Sequence, residues 1–183
     1  MKELSLNILD IVQNSISAGA DMIEILLTET EDKLLTLTIR DNGHGMSKDA
    51  LKKVTDPFYT TRKTRKIGMG IPLLKFAAEM AGGKLTVESV SNDENCKTHG
   101  TSVTATFHTD SIDFTPIGDI ISTVRVIIHG HPEIDYFFRH VTPSFDVSLD
   151  TKKMREVLGS DISLSKSEIL EWIEGNLKQQ YQN

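Results

Sequence analysis

Two short apolar stretches, residues 22–27 and 34–39, flank the polar segment Glu29-Thr30-Glu31-Asp32-Lys33. Residues of this kind on both sides of a short polar turn form strands. A helical period comes just before them, in Leu4, Ile8, Ile11, Val12 and Ile16, with Gly19 as its stop. The chain therefore begins helix, strand, turn, strand, and the second strand runs directly into Asp41-Asn42-Gly43-His44-Gly45-Met46. That last segment is a loop by composition. Further on, Ser47 is placed to cap a short helix through Val54, and residues 71–81 form a helix that ends before Gly82-Gly83. Residues 84–90 and 102–107 alternate as strands, with a surface loop over residues 91–95. Residues 55–70 are polar and basic, carry Pro57 and two glycines, and show no clean period, which suits a lid better than a packed element.

From about residue 110 the pattern restarts. Ile117, Ile120, Ile121, Val124, Ile127 and Ile128 fit one buried helical face. Residues 134–141 and 145–149 form a hairpin around Thr142-Pro143. Asp150 caps a helix ending at Gly159, and Ser165-Lys166-Ser167-Glu168 has capping-box spacing before a last helix to about Lys178. The expected division is residues 1–109 as one domain and 110–183 as a helix-hairpin-helix extension packing on it or on a partner. A chain of 183 residues has room for one domain plus such an appendage.

Composition narrows the function classes. A net charge of -6 argues against broad electrostatic binding to nucleic acid or anionic membrane. The single cysteine, Cys96, cannot form an internal disulfide, which points to a reducing, cytoplasmic setting. No signal-peptide core follows Met1-Lys2-Glu3-Leu4, and no apolar run approaches the ~20 residues of a membrane span. No membrane insertion and no nucleic-acid partner are expected.

Three segments carry chemistry. Asp10 and Asn14 are one turn apart and share a face of the first helix, with Asn7 on the same stripe. An amide oxygen suits Mg²⁺, which keeps several waters and takes other ligands from phosphates. A carboxylate one turn away can orient or deprotonate a water. The same residues would also serve as a solvated polar face. Asp41 ends a strand, where its carboxylate can accept from an exocyclic amine such as adenine's. Gly43 and Gly45 let backbone approach a ligand closely, although Asp-Asn-Gly is also ordinary turn chemistry. Gly68 and Gly70 lead into a helix whose first amides form an anion site, or else they form a plain hinge. The segment matches neither the Walker A loop nor the dinucleotide fingerprint.

In this order, these segments resemble the GHKL superfamily of gyrase, heat-shock chaperone ATPase, histidine kinase and MutL. Residues 10–20 are similar to the MutL-type N box, and residues 56–75 to the phenylalanine and glycine boxes of histidine kinases. Gly68-Met69-Gly70 also resembles that of anti-sigma-factor serine kinases. The resemblance covers residues 4–108. It implies an α+β two-layer sandwich of the Bergerat type, with a mixed, mostly antiparallel sheet, helices on one face and a C-terminal α/β extension. It further implies ATP and Mg²⁺ as ligands. Asn14 is the implied magnesium ligand and Asp41 the adenine reader. Gly43, Gly45 and Met46 would line the adenine side, Gly68 and Gly70 would admit the phosphates, and Thr101 would support the adenine contact through its hydroxyl. Thr61 and Lys63 join the nucleotide-binding set, Lys63 within the basic cluster Arg62, Lys63, Arg65 and Lys66. Asp10 stands where hydrolysing members carry glutamate and is the candidate catalytic residue. Ser17 stands where MutL-type proteins often carry an acid.

A sensor kinase also needs a helical hairpin bearing the phospho-accepting histidine. None is expected before the first helix or after His108, and His140 falls in a strand, so autophosphorylation in cis is not expected. The tail is similar to one on small ATP-binding proteins encoded beside iron-hydrogenase or NADH-oxidoreductase-like subunits, through Pro116-Ile117-Gly118-Asp119 and His131-Pro132-Glu133-Ile134-Asp135. Two functions follow as expectations. One is an ATPase or kinase in which Asp10 positions the nucleophile. The other is a nucleotide-gated regulatory subunit that recruits a protein partner with little turnover. His129 and His131 read as a surface turn rather than a metal site, His44 as structural, and Cys96 has no assigned role.

Overall fold

The computed structural model describes residues 3–56, 69–94, 98–159 and 162–182. Helix α1 (Leu4–Ser17) leads to strands β1 (Met22–Glu29) and β2 (Leu34–Asp41). Helices α2 (Lys48–Lys53) and α3 (Gly70–Met80) follow, then β3 (Leu85–Val90), a 3₁₀ turn (Asn92–Glu94) and β4 (Gly100–His108). The chain continues through α4 (Ile120–Gly130), β5 (Asp135–Val141), β6 (Asp146–Asp150), α5 (Thr151–Leu158) and α6 (Ser167–Gln180).

The strands form one six-stranded sheet in the order β3-β4-β2-β1-β5-β6. All pairings are antiparallel except β1 with β5, which is parallel. Strict alternation fixes its faces, because successive strand residues point to opposite sides. Ile23, Ile25 and Leu27 on β1 are buried. They stand in register with Tyr136, Phe138 and His140 on β5, all buried. On the other side Leu35, Leu37 and Ile39 of β2 pair with Phe107, Ala105 and Val103 of β4. These residues share one core with the buried stripes of α1, α3, α4 and α6, so the helices cover that face. Fully burying each large apolar side chain contributes about 1.5–3 kcal/mol. The other face carries Thr36, Thr38, Thr104, Arg40, Glu24 and Arg139, and the sheet is open.

Residues after 109 join this same sheet through β5, and their polar segments lock onto the first helix. The carbonyls of Pro116 and Ile117 accept from the N–H groups of Leu4 and Ser5, which no intrahelical partner can satisfy. Gly118 has φ 78°, and Asp119 caps α4 by accepting from Ser122 N–H at 2.9 Å. This corrects the sequence reading of Ile117: it precedes α4 and packs from the loop, because Gly118 and Asp119 start the helix after it. The second tail motif is structural as well. Arg155 donates to Asp135 at 2.8 Å and to the carbonyls of Pro132 and Ile134, tying α5 to the start of β5. The capping box at Ser165 does not form. Ser165 bonds Ser163 instead, and α6 begins at Ser167 with Lys166 as its cap residue. Ser47 and Asp150 cap α2 and α5 as their sequences predict.

Beyond β6, the Gln180 side chain accepts from Ser148 N–H at 2.8 Å and donates to the Ser148 carbonyl at 3.1 Å. One amide thus takes the N–H and carbonyl of Ser148, at the middle of this edge strand.

Candidate functional site

Asp41 is the last residue of β2 and pairs with Thr101 of β4. Its carboxylate is held from three directions. Oδ1 accepts from the N–H groups of Gly43 at 3.0 Å and Thr101 at 3.2 Å. Oδ2 accepts from the Ser15 hydroxyl at 2.6 Å. Ser15 is 3% exposed and sits one residue beyond Asn14, so α1 reaches the strand end through it. Charge-assisted bonds of this length are the stronger kind, and together they fix the carboxylate's plane.

The loop after Asp41 is pressed into place by absent side chains. A Cβ on Gly43 would lie 2.8 Å from the Ala18 side chain. Gly45 has φ 68°, and a Cβ there would collide with the Val90 carbonyl. Asn42 faces away from this work: its Oδ1 accepts from Asp21 and Met22 N–H, bracing the start of β1. Met46 N–H donates to Ser89 Oγ at 2.8 Å. Ser89 Oγ donates to the Gly100 carbonyl at 2.9 Å and lies 2.9 Å from Thr101 Oγ1. With Ser89's one proton used on Gly100, the Thr101 hydroxyl donates to Ser89, leaving its lone pairs to accept. A concavity lined by Ser47, Lys48, Asp49, Lys52, Ser91 and Asp93 opens beside this loop, between α2 and the end of β3.

At Gly70 the first turn of α3 meets α1. A Cβ on Gly70 would stand 3.3 Å from Asp10 Cβ, 3.6 Å from Asn14 Nδ2 and 3.8 Å from Ile11 Cδ1. The absence of a side chain at the helix start thus leaves α3's positive end open to the carboxylate and amide of α1. Asp10 and Asn14 thus lie beside Gly70 at the start of α3, Asp41, Gly43, Gly45, Met46 and Thr101 lie at the ends of β2 and β4, and Ser15 joins α1 to that second group. Thr61, Lys63, Gly68, the cluster Arg62, Arg65 and Lys66, and Cys96 lie outside the described residues, as does most of the expected lid.

A family model for the histidine kinase-, DNA gyrase B- and HSP90-like ATPases matches residues 2–111. The chain belongs to that ATPase family. Curated relatives of this ATPase-family chain include sensor proteins and a sporulation kinase. The C4-dicarboxylate transport sensor protein DctB of Pseudomonas aeruginosa is 44% identical over 52 residues, covering 28% of this chain and 8% of the relative. Sporulation kinase E of Bacillus subtilis is 32% identical over 89 residues, covering 49% and 12%. The heme sensor protein HssS of Staphylococcus saprophyticus is 29% identical over 101 residues, covering 54% and 20%. The chain thus spans at most a fifth of the length of these relatives.

Two solved structures share its fold. One, the N-terminal domain of a DNA repair protein, has a TM-score of 0.60 at 17% identity and covers 87% of this chain and 58% of that one. The other, the Aquifex aeolicus MutL ATPase domain complexed with ADP, has a TM-score of 0.55 at 14% identity, covering 86% and 69%. Both alignments cover more of the chain than the family model's residues 2–111.

Ser15, Ser89 and His99 were not singled out in the sequence. Ser15 carried one usable signal, its place beside Asn14 on an otherwise apolar helix. Ser89 and His99 carried none, since their partners are 43 and 56 residues away.

No helix among the described residues is long and apolar enough to cross a membrane. Nor do those residues contain a group of three or more histidine, cysteine, aspartate or glutamate side chains arranged to hold a metal. His131 instead lies 3.2 Å from Glu133.

Proposed function

We propose that this chain binds ATP with Mg²⁺ between the end of β2 and the start of α3, and acts as an ATPase or as a kinase toward a protein partner. The observation that carries the reading is the held carboxylate of Asp41, whose Oδ2 receives only Ser15 among the hydrogen bonds described. Its remaining lone pair suits an exocyclic amine, with Thr101 Oγ1 alongside as a second acceptor. The Asn14 amide oxygen is a hard donor of the kind Mg²⁺ takes, and the Gly70 start of α3 is an anion-favouring helix terminus. These residues fit a magnesium nucleotide because a Cβ at Gly70 would fill the seam between them. Bound ATP supplies a transferable phosphoryl group. Asp10, one turn from Asn14, is placed to orient a water or a partner's hydroxyl and take its proton.

Calorimetry with ATP-Mg²⁺ tests the reading. Folded protein that shows no binding at millimolar ATP would sink it, and Asp41→Asn is expected to weaken adenine-nucleotide affinity. A second reading is a nucleotide-gated regulatory subunit with little turnover. It draws on Asp10, whose side chain is one methylene shorter than the glutamate of hydrolysing relatives and reaches less far. Asp10→Asn separates the two: an unchanged turnover rate removes Asp10 as the base, and wild type without turnover beside any partner favours the gated subunit.

A further inference from the structure

Three consecutive residues at the entry to β4 meet the loop at Asp41 and Gly43. Thr101 N–H donates to Asp41 Oδ1 at 3.2 Å. Gly100, at φ 134°, lies so close to the Asp41 carbonyl that a Cβ there would collide with it. The His99 ring nitrogen Nδ1 lies 2.6 Å from the Gly43 carbonyl oxygen. A carbonyl only accepts, so Nδ1 carries the proton. Gly43 is thereby held at both ends of its backbone, its N–H by Asp41 and its carbonyl by His99. Its α-carbon is packed against Ala18, leaving the residue no slack on the helix side.

We infer that His99 is a positioning residue for the nucleotide: through Gly43 it sets the orientation of the Asp41 carboxylate. Releasing the Gly43 carbonyl leaves the 43–44 peptide held only by His44 N–H on the Ala18 carbonyl at 2.9 Å, so Gly43 shifts and its own N–H bond to Oδ1 weakens. Asp41, left with Ser15 and Thr101, then turns more freely, and the direction of its remaining lone pair is less tightly set. His99 itself touches no reacting atom in this scheme. The imidazole is exposed, so its replacement leaves the core untouched. The inference rests on the ATP-Mg²⁺ reading of the same site.

The test compares His99→Ala, His99→Asn and His99→Gln with wild type. Asparagine places an amide N–H at the same number of bonds from Cα as Nδ1, and glutamine places it one bond farther. His99→Ala and His99→Gln are expected to bind ATP-Mg²⁺ about five- to tenfold more weakly, the worth of one hydrogen bond. His99→Asn is expected to stay within about twofold of wild type. Exchange of the Gly43 amide, followed by NMR without nucleotide, should accelerate in the alanine and glutamine variants and recover in the asparagine variant. A purely structural loss would accelerate Gly43 exchange without weakening ATP-Mg²⁺ binding. If wild type binds ATP-Mg²⁺ and His99→Ala binds equally well, the positioning role is overturned while the nucleotide reading stands. If wild type binds no nucleotide yet Gly43 exchange still accelerates in His99→Ala, the nucleotide reading fails and takes the positioning role with it.

Discussion

Gly70→Ala separates what α3 contributes to folding from what it contributes to a ligand. Gly70 has no positive φ, and the nearest atom to an added methyl is Asp10 Cβ at 3.3 Å. That contact is tight by a few tenths of an ångström, and small shifts of α3 against α1 relieve it. Alanine in a helix is favoured over glycine by about 0.5–1 kcal/mol, less in the first turn. The two effects nearly offset, so urea unfolding should place the variant within about 1 kcal/mol of wild type. The methyl nevertheless enters the seam in which Asp10 and Asn14 meet the start of α3. Any phosphate or metal-bound water there must move away, and a loss of at least about 1.4 kcal/mol is a tenfold drop in ATP-Mg²⁺ affinity. Calorimetry and unfolding on the same preparations decide the matter. Equal stability with affinity within about twofold of wild type would refute the close approach of the phosphates to Gly70.

Ser15→Ala removes the 2.6 Å bond to Asp41 Oδ2 and should cost about 1.5–3 kcal/mol of stability, with weaker nucleotide binding; an unaltered urea midpoint contradicts this. Arg155→Ala loses the partly buried bonds to Asp135, Pro132 and Ile134. It should lower stability by about 1–3 kcal/mol and leave nucleotide affinity unchanged, which the same two assays check. His140 is 4% exposed, and burial holds its imidazole below the usual value, with Glu29 pulling the other way. The unfolded chain therefore takes up this proton first as pH falls. The contribution is fully present above about pH 6.5, is lost as pH falls from there through the folded value, and changes no further below it. His140→Phe should flatten the loss of stability below pH ~6.5, measured by urea unfolding across that range. An equally steep acid slope in the variant removes His140 as its cause.

Elements with a clean local period were legible from their residues. The alternation of β1 and β2 and the stripe of α1 each declare a buried face without reference to the rest of the chain. The place of Asp41 at a strand end and of Gly70 at a helix start was legible from the periods that flank them. What stayed hidden depends on distant partners. The Ser89 bridge to Met46 and the His99 clamp on Gly43 join segments that no local pattern relates. The parallel seating of β5 beside β1 was hidden for the same reason, since a strand's own residues do not name its neighbour. At Ile117 the apolar period was followed one turn too far, across a glycine whose positive φ ends the pattern.

The β1–β5 seam has a consequence for how the molecule comes into being. Met22 stands in register with Asp135, so the middle of the sheet joins residues from opposite ends of the chain. The β1–β2 hairpin can form as soon as it is made, yet the flank of β1 that β5 will cover stays open until β5, Asp135–Val141, has been synthesised. Closing so long a loop is slow relative to local pairing. During that interval the nascent chain carries an unpaired strand edge beside a bare apolar face, the state in which a growing polypeptide is most exposed to wrong partners.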